Sequence, residues 1–329
     1  MLVYLLERGE IDGAIVAGMD PNNPCRSVGM LATTADDIKA AAMSKYCLTP
    51  SLEVLAEIRK REGRFAVAAL PCQVQGLRKM QRVDPVLSEK IVCILGLFCN
   101  CNLERNGHLE ALRACGVEPA DVREFRFRGG PWPGGFHVVG KNGEQVALHR
   151  MRYSDLMNVM FRLYGATRCY LCLDALSEYA DISCGDFLAG DYDDSFSELT
   201  GCTLVVERTA RGRGILEQAA KDRALVTHHL PLDRMSKRIT GMAKGKKNRC
   251  IVRLWRRHRK KQPLPDYHFS LPTPSSKAMR SELLYRVFIL FRGYRMRTII
   301  LRLLFSPLGE WLARLNVKRK KMFCNYHGN

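Results

Sequence analysis

Two uninterrupted apolar runs constrain this chain more than anything else in it: Phe65-Ala66-Val67-Ala68-Ala69-Leu70 and Ile91-Val92-Cys93-Ile94-Leu95-Gly96-Leu97-Phe98. Both have strand length and neither alternates with polar residues, the pattern of strands covered on two faces in a parallel sheet. Between them Pro71 opens a stretch with Val74, Leu77 and Met80 at helical spacing. Strand, helix and strand in that order make a βαβ unit. The same alternation runs upstream, where residues 2–8 read as a helix, 13–17 as a strand and 34–43 as a helix. Residues 50–63 read as one more helix, with Thr49 as its cap, Pro50 at its first position and Gly63 at its end. The expected fold class is α/β, built on a parallel βαβ core.

The middle of the chain changes character. Phe125-Arg126-Phe127 and Phe136-His137-Val138-Val139 are short strands, and Asn142-Gly143 ahead of Val146-Ala147-Leu148 is a hairpin signal, so an antiparallel hairpin is inserted here. A helix with Leu156, Val159, Met160 and Leu163 on one face then leads into Arg168-Cys169-Tyr170-Leu171-Cys172. A strand at 203–206, a helix near 215–220 and a last strand at 225–227 complete a unit expected to span residues 1–230.

Cys72 and Cys99 each stand just past one of the two buried strands. In a parallel sheet those ends share one edge, where open α/β folds hold their ligands. Cys169 and Cys172 form a CxxC pair, which lets two thiolates grip one metal or cluster at little loop-closure cost. Alone, such a pair reads equally well as half a zinc site or as two buried small side chains. With Cys72 and Cys99 four sulfur ligands are available, and Cys101 and Cys184 are spare candidates. The thirteen cysteines are odd in number and lack the dense spacing of a secreted disulfide scaffold. The opening Met1-Leu2-Val3-Tyr4-Leu5-Leu6 followed by Glu7-Arg8-Gly9-Glu10 has neither a basic leader nor a cleavage site, so a reducing cytoplasm is expected. No Ser-His-Asp or paired-carboxylate pattern stands out, and none of the eight histidines has metal-ligand spacing.

The segments around these cysteines resemble the coenzyme F420 hydrogenase/dehydrogenase beta-subunit family. Ala69-Leu70-Pro71-Cys72-Gln73-Val74-Gln75-Gly76-Leu77-Arg78-Lys79 is similar to its "PCQ…GLRK" segment, and Gly96-Leu97-Phe98-Cys99 to its second cysteine segment. Cys169-Tyr170-Leu171-Cys172-Leu173-Asp174 and Ala180-Asp181-Ile182-Ser183-Cys184-Gly185-Asp186 resemble its cluster loop and "ADIS-GD" signature. Ala32-Thr33-Thr34-Ala35-Asp36-Asp37-Ile38 and Ser44-Lys45-Tyr46 match a segment near the amino end. The resemblance runs over roughly residues 1–210 in family order. It implies an oxidoreductase or electron-transfer subunit with FAD beside a 4Fe-4S cluster, the latter held by Cys72, Cys99, Cys169 and Cys172. It implies coenzyme F420 as a hydride carrier and a ferredoxin-like or other redox subunit as partner. Many relatives carry an amino-terminal ferredoxin-like segment, and this chain starts beyond it. Lys45, Gln73, Arg78, Asp181 and Asp186 are candidates for flavin or substrate contacts, and each reads also as an ordinary structural residue. A competing reading is a non-enzymatic adaptor with a structural zinc, although structural zinc sites draw on two local cysteine pairs and Cys72 and Cys99 come singly.

The net charge of +19 is concentrated in residues 231–329, which hold 25 Lys and Arg against 4 Asp and Glu. Residues 231–262 read as a basic linker, with Trp255 inside a run of Lys and Arg and with Pro263 and Pro265 just beyond. Residues 263–329 read as a basic amphipathic helical extension, separable from the rest, so that removing 262–329 is expected to leave the thiol site intact. Leu283, Leu284, Val287, Phe288, Leu290 and Phe291 alternate with Arg286, Arg292, Arg295 and Arg297. No apolar stretch reaches the roughly 18–20 residues a spanning helix needs. An anionic membrane at the inner face of the cell is the expected partner of residues 281–322, against an acidic partner subunit as the competing reading. Nucleic acid is not favoured, since no reading module is present.

Overall fold

The computed structural model describes residues 1–329 except 105, 131–133, 147–152, 187–201, 231–236, 269, 310 and 312–329, with only the backbone of 153–155, 237–239 and 284. Nine strands are described: β1 (Gly13–Asp20), β2 (Asn23–Ala32), β3 (Phe65–Ala69), β4 (Ile91–Leu97), β5 (Val122–Gly129), β6 (Gly135–Gly140), β7 (Gln145–Val146), β8 (Ile182–Asp186) and β9 (Thr203–Glu207). Six form one sheet in the order β2-β1-β3-β4-β8-β9, and β5-β6-β7 form a second, antiparallel sheet. In the large sheet β1, β3, β4 and β8 are parallel, while β2 and β9 close the two edges antiparallel. The fold is therefore mixed α/β with a parallel core and a separate antiparallel sheet, as the sequence leads one to expect.

Eleven helices accompany the described strands: α1 (Leu2–Glu7), α2 (Ala35–Ala40), α3 (Leu55–Ile58), α4 (Pro71–Val83), α5 (Pro85–Lys90), α6 (Gly107–Ala114), α7 (Tyr153–Tyr164), α8 (Ala210–Lys221), α9 (Lys237–Arg259), α10 (Ser276–Leu290) and α11 (Tyr294–Leu304). Side chains alternate across the large sheet with a period of two. Ile15, Val67, Ala69 and Ile94 pack with Leu55, Ile58, Val74, Leu77 and Leu87 on one face. Ala14, Val16, Ala66 and Cys93 pack with Leu2, Leu5 and Ile11 on the other.

Four local expectations need correcting. Strand β2 escapes the apolar-run criterion because it is an edge strand, where only part of its surface is covered and Pro24 costs no ladder hydrogen bond. Residues 50–63 do not form one helix; a 3-10 turn at Ser51–Val54 precedes the short α3. Residues 225–227 form no strand, and Val226 is fully exposed.

The fourth concerns the stretch read as a basic linker. It contains the 23-residue helix α9. Ala243, Lys246, Cys250 and Leu254, spaced three and four apart, form a buried stripe along one side, and Val252 is buried away from it. The charges between them hide that stripe.

The extension is bonded to the rest of the chain. Arg253 of α9 grips the buried Glu282 of α10 at 2.7 and 2.8 Å. Arg297 of α11 binds Glu110 of α6 at 2.7 and 3.0 Å, and the Tyr164 hydroxyl donates to the same carboxylate at 2.7 Å. Breaking a buried pair of this kind costs about 3–5 kcal/mol, so removing 262–329 would strip partners from the body of the fold.

Candidate metal centre

Each candidate cysteine is placed by a strand end or a turn. After β3 the chain stays extended at Leu70 and enters α4, with Pro71 at the first helical position and Cys72 next. Gln73 accepts a hydrogen bond from the Leu70 amide at 2.9 Å, which fixes that corner. After β4 the Phe98 amide donates to Cys184 O at 2.7 Å and the Cys99 amide to Ala175 O at 2.9 Å. Cys99 is thus held between β8 and the loop that follows Cys172.

That loop lies against the backbone of β4. A side-chain carbon added at Gly96 would sit 2.3 Å from Ser177 Cβ and 2.7 Å from Ala180 Cβ, so only glycine allows the approach. Cys169 lies within a 3-10 turn at Thr167–Leu171, and Cys172 caps its end. The Cys169 amide donates to Ala166 O at 2.9 Å and the Cys172 amide to Cys169 O at 3.3 Å. The Ala166 amide in turn donates to Asn102 O, tying the turn to the segment that carries Cys99 and Cys101.

The thiols of Cys72, Cys99, Cys169 and Cys172 are close enough to act on one another electrostatically. Burial pushes the Cys99 thiol up to about 12, and nearby Lys246 works against that rise. Desolvation, then the Cys172 and Cys169 sulfurs, raise Cys72, the most exposed of the four. Cys169 behaves oppositely: its contact with the Cys101 thiol lowers it, and Cys101 rises in consequence. Among the described residues, no three His, Cys, Asp or Glu side chains are gathered as a single metal ion would require.

The residue that sequence reasoning missed is Lys246. It comes from α9, is 6% exposed, and its ammonium donates to Cys99 O and Asp174 O, each at 2.8 Å. It also bonds the Cys172 side chain and acts on Cys99 and Cys169, and these sulfurs outweigh the burial that opposes its charge. The extension clamps the turn at two further points. Arg253 donates to Tyr170 O at 3.1 Å and stacks 4.6 Å over the Tyr170 ring, and the Tyr267 hydroxyl donates to Leu171 O.

The two spare cysteines separate clearly. Cys101 is buried beside Cys169, and Gly165 makes room for it: a side-chain carbon there would lie 2.9 Å from its sulfur. Cys184 sits on β8, where the charges acting on its thiol are those of the amino terminus and Asp186.

The five residues considered for flavin or substrate contacts are all engaged with the chain itself. Lys45 donates to the carbonyls of Ala41, Ala42 and Met43, closing the end of α2. Gln73 spans Leu70 and Thr49. Arg78 pairs with Asp181 at 3.0 Å and donates to Tyr179 O. Asp181 also accepts from the Ile94 amide at 2.8 Å and from Thr209 at 3.0 Å, stitching β4 to the start of α8. Asp186 receives two bonds from buried Arg128 at 2.8 and 3.0 Å. The structure does not bring the five together as one open set.

Comparisons with known proteins agree with this architecture. Residues 1–56 match the family model for the N-terminal part of the coenzyme F420 hydrogenase/dehydrogenase beta subunit, and residues 62–232 match the model for its C-terminal part. A coenzyme F420-dependent sulfite reductase of Methanocaldococcus jannaschii is 31% identical over 65% of this chain and 32% of its own length. A subunit of the F(420)H(2) dehydrogenase of Methanosarcina mazei is 30% identical over 58% of this chain and 51% of its own. The beta subunit of a coenzyme F420 hydrogenase of Methanothermobacter thermautotrophicus is 27% identical, covering 67% and 73%. The chain thus spans about a third and a half of the first two relatives. A chain of the F420-reducing [NiFe] hydrogenase complex from Methanosarcina barkeri has the same fold, with a TM-score of 0.61, 24% identity, and coverage of 81% of this chain and 87% of that one.

Proposed function

Because this chain belongs to the coenzyme F420 hydrogenase/dehydrogenase beta-subunit family, we propose that it is a redox electron-transfer subunit whose Cys72, Cys99, Cys169 and Cys172 hold a 4Fe-4S cluster. The observation that supports the reading is that these four thiols, from two strand ends and one turn, act electrostatically on one another and on the ammonium of Lys246. A tetrahedral zinc with Zn–S near 2.3 Å would draw its sulfurs to about 4 Å of one another. Structural zinc sites draw on two local cysteine pairs, whereas Cys72 and Cys99 come singly from separate strand ends, which supports the cluster over the zinc-adaptor reading. An all-sulfur donor set suits iron and sulfide equally well.

When bound, the cluster supplies a one-electron acceptor and donor. The chain's own residues do the rest. Lys246 places a positive charge against Cys99 and Cys172, offsetting the negative charge of four thiolates. Arg253 and Tyr267 hold the CxxC turn in place. FAD, with coenzyme F420 as the hydride carrier, completes the reading by family membership. Lys45, Gln73, Arg78, Asp181 and Asp186 are the candidates for flavin or substrate contacts, each also bonded within the chain. The partner is a ferredoxin-like or other redox subunit, in keeping with the multi-subunit complex named for the neighbour of similar fold.

The test is replacement of single cysteines by serine in anaerobically purified protein. Cys72→Ser or Cys99→Ser should reduce bound iron and lower stability together, because cluster binding and folding are linked. Full iron retention in either would overturn the ligand set.

Peripheral attachment to an anionic membrane is the second element, favoured by the surface of α10 and α11. Among the described residues no helix is long and apolar enough to cross a membrane. Leu283, Leu290, Tyr294, Ile299, Leu303 and Trp311 are nonetheless exposed, Leu290 at 78%, and Arg286, Arg295 and Arg302 lie exposed among them. Apolar side chains fringed by arginine suit the headgroup region of anionic lipid. Leu290→Asp with Ile299→Asp should abolish cosedimentation with phosphatidylglycerol vesicles, and undiminished binding would remove the membrane from the account. Residues 312–322, the far end of the segment expected to bind, lie outside the described residues.

A further inference from the structure

A cleft of about 300 Å³ opens between α7, α9 and α10, next to the thiol centre, and its walls combine the family-matched part of the chain with the extension. Two guanidiniums line it, Arg162 from α7 and Arg249 from α9, and no carboxylate does. Neither arginine makes a hydrogen bond or ion pair to the described residues. The nearest acid on α10, Glu282, is already held by Arg253. Both guanidiniums are carried on aromatic rings instead: Arg162 stacks 4.9 Å over Phe288 and 5.9 Å over Tyr285, and Arg249 lies 5.7 Å over Tyr285.

Ring stacking orients a guanidinium and leaves its N–H edge free, the posture in which arginine receives an oxyanion with two parallel hydrogen bonds. Burial lowers the Arg249 pKa below its ordinary value; Tyr285 and Glu282 oppose that fall, and the charges of Arg253 and Arg162 add to it. The cleft thus presents two guanidiniums and no carboxylate on its walls. Asn100, Asn158 and Ser281 add neutral hydrogen-bonding groups to its walls.

We propose that this cleft is a phosphoryl-binding subsite in which Arg162 and Arg249 clamp the oxygens of a phosphate group, free or carried on a small organic molecule. The volume exceeds what inorganic phosphate fills and leaves room for a short attached group. The position gives the site its significance. Asn100 lies between Cys99 and Cys101, and Arg249 follows Lys246 by three residues on the same helix, so an anion here sits beside the charges of the thiol centre. The inference stands on the cleft alone and holds whether or not a cluster occupies the cysteines.

The experiment is calorimetric titration of the full chain with inorganic phosphate, glycerol phosphate and malonate at matched ionic strength. Phosphate and glycerol phosphate should bind, the latter more tightly if the natural ligand is a phosphate ester and no more tightly if it is free phosphate. Arg162→Gln and Arg249→Gln should each weaken binding about tenfold or more, the worth of one charge-assisted hydrogen bond. Ser281→Glu, at an exposed position, should abolish it by placing a carboxylate in the cleft without removing a stacked arginine. Lys277→Gln with Arg280→Gln, both exposed on α10 outside the cleft, should leave it unchanged and so corrects for general charge. The proposal is overturned by absence of phosphate binding, by malonate binding more tightly than phosphate, by retention in Ser281→Glu, or by equal weakening in the Lys277/Arg280 variant.

Discussion

Replacing Lys246 by methionine keeps most of its volume and removes one buried positive charge from the thiol centre. Its ammonium is 2.8 Å from Cys99 O and hydrogen-bonded to the Cys172 side chain. At an effective dielectric constant of about 20, a unit charge beside a ligand sulfur contributes a few kcal/mol to a one-electron step, on the order of 100 mV. The positive charge favours the reduced, more negative cluster. Lys246→Met should therefore lower the midpoint potential by about that amount, read by a redox titration followed with electron paramagnetic resonance. Lys246→Arg keeps the charge and should stay near wild type. Equal potentials in wild type and Lys246→Met, with iron content unchanged in both, would refute the reasoning.

Three further outcomes follow from the same geometry. Gly96→Ala should destabilise the fold by about 1–3 kcal/mol in chemical denaturation, since the added carbon meets Ser177 and Ala180 across the loop. Cys184→Ala should leave iron content at the wild-type value, because Cys184 lies with the amino terminus and Asp186 rather than with the four thiols. In metal-free protein the Cys101 contact holds the Cys169 thiol below its ordinary value. Its alkylation at neutral pH should outpace that of Cys99, which burial pushes up to about 12. The stability linked to Cys169 is fully present above the ordinary thiol pKa and is lost as pH falls through the depressed folded value.

The parallel core was legible because β3 and β4 are buried on both faces and so carry unbroken apolar runs. Their ends alone place Cys72 and Cys99 at one sheet edge. Strand β2 was not legible, because an edge strand is only half covered and its residues need not be apolar. Helix α9 was hidden by charge. Its buried stripe includes a lysine, and a hydropathy pattern counts Lys246 as solvent-facing although a cluster of thiols and two carbonyls makes its burial favourable. Cys101 was recognised only as a spare ligand, since a thiol-to-thiol hydrogen bond across some 68 residues of chain leaves no mark in local spacing. The five polar candidates illustrate the converse. Their residue types suit ligand contacts, yet Arg78, Asp181 and Gln73 satisfy buried backbone and one another, as interior polar groups must.

Whether four cysteines from distant parts of the chain hold one iron–sulfur cluster is decided by iron, acid-labile sulfide and zinc per chain in protein purified under strict anaerobic conditions. About four irons and four sulfides in a brown protein are expected, as a 4Fe-4S cluster requires. A colourless protein with one zinc per chain would overturn the assignment.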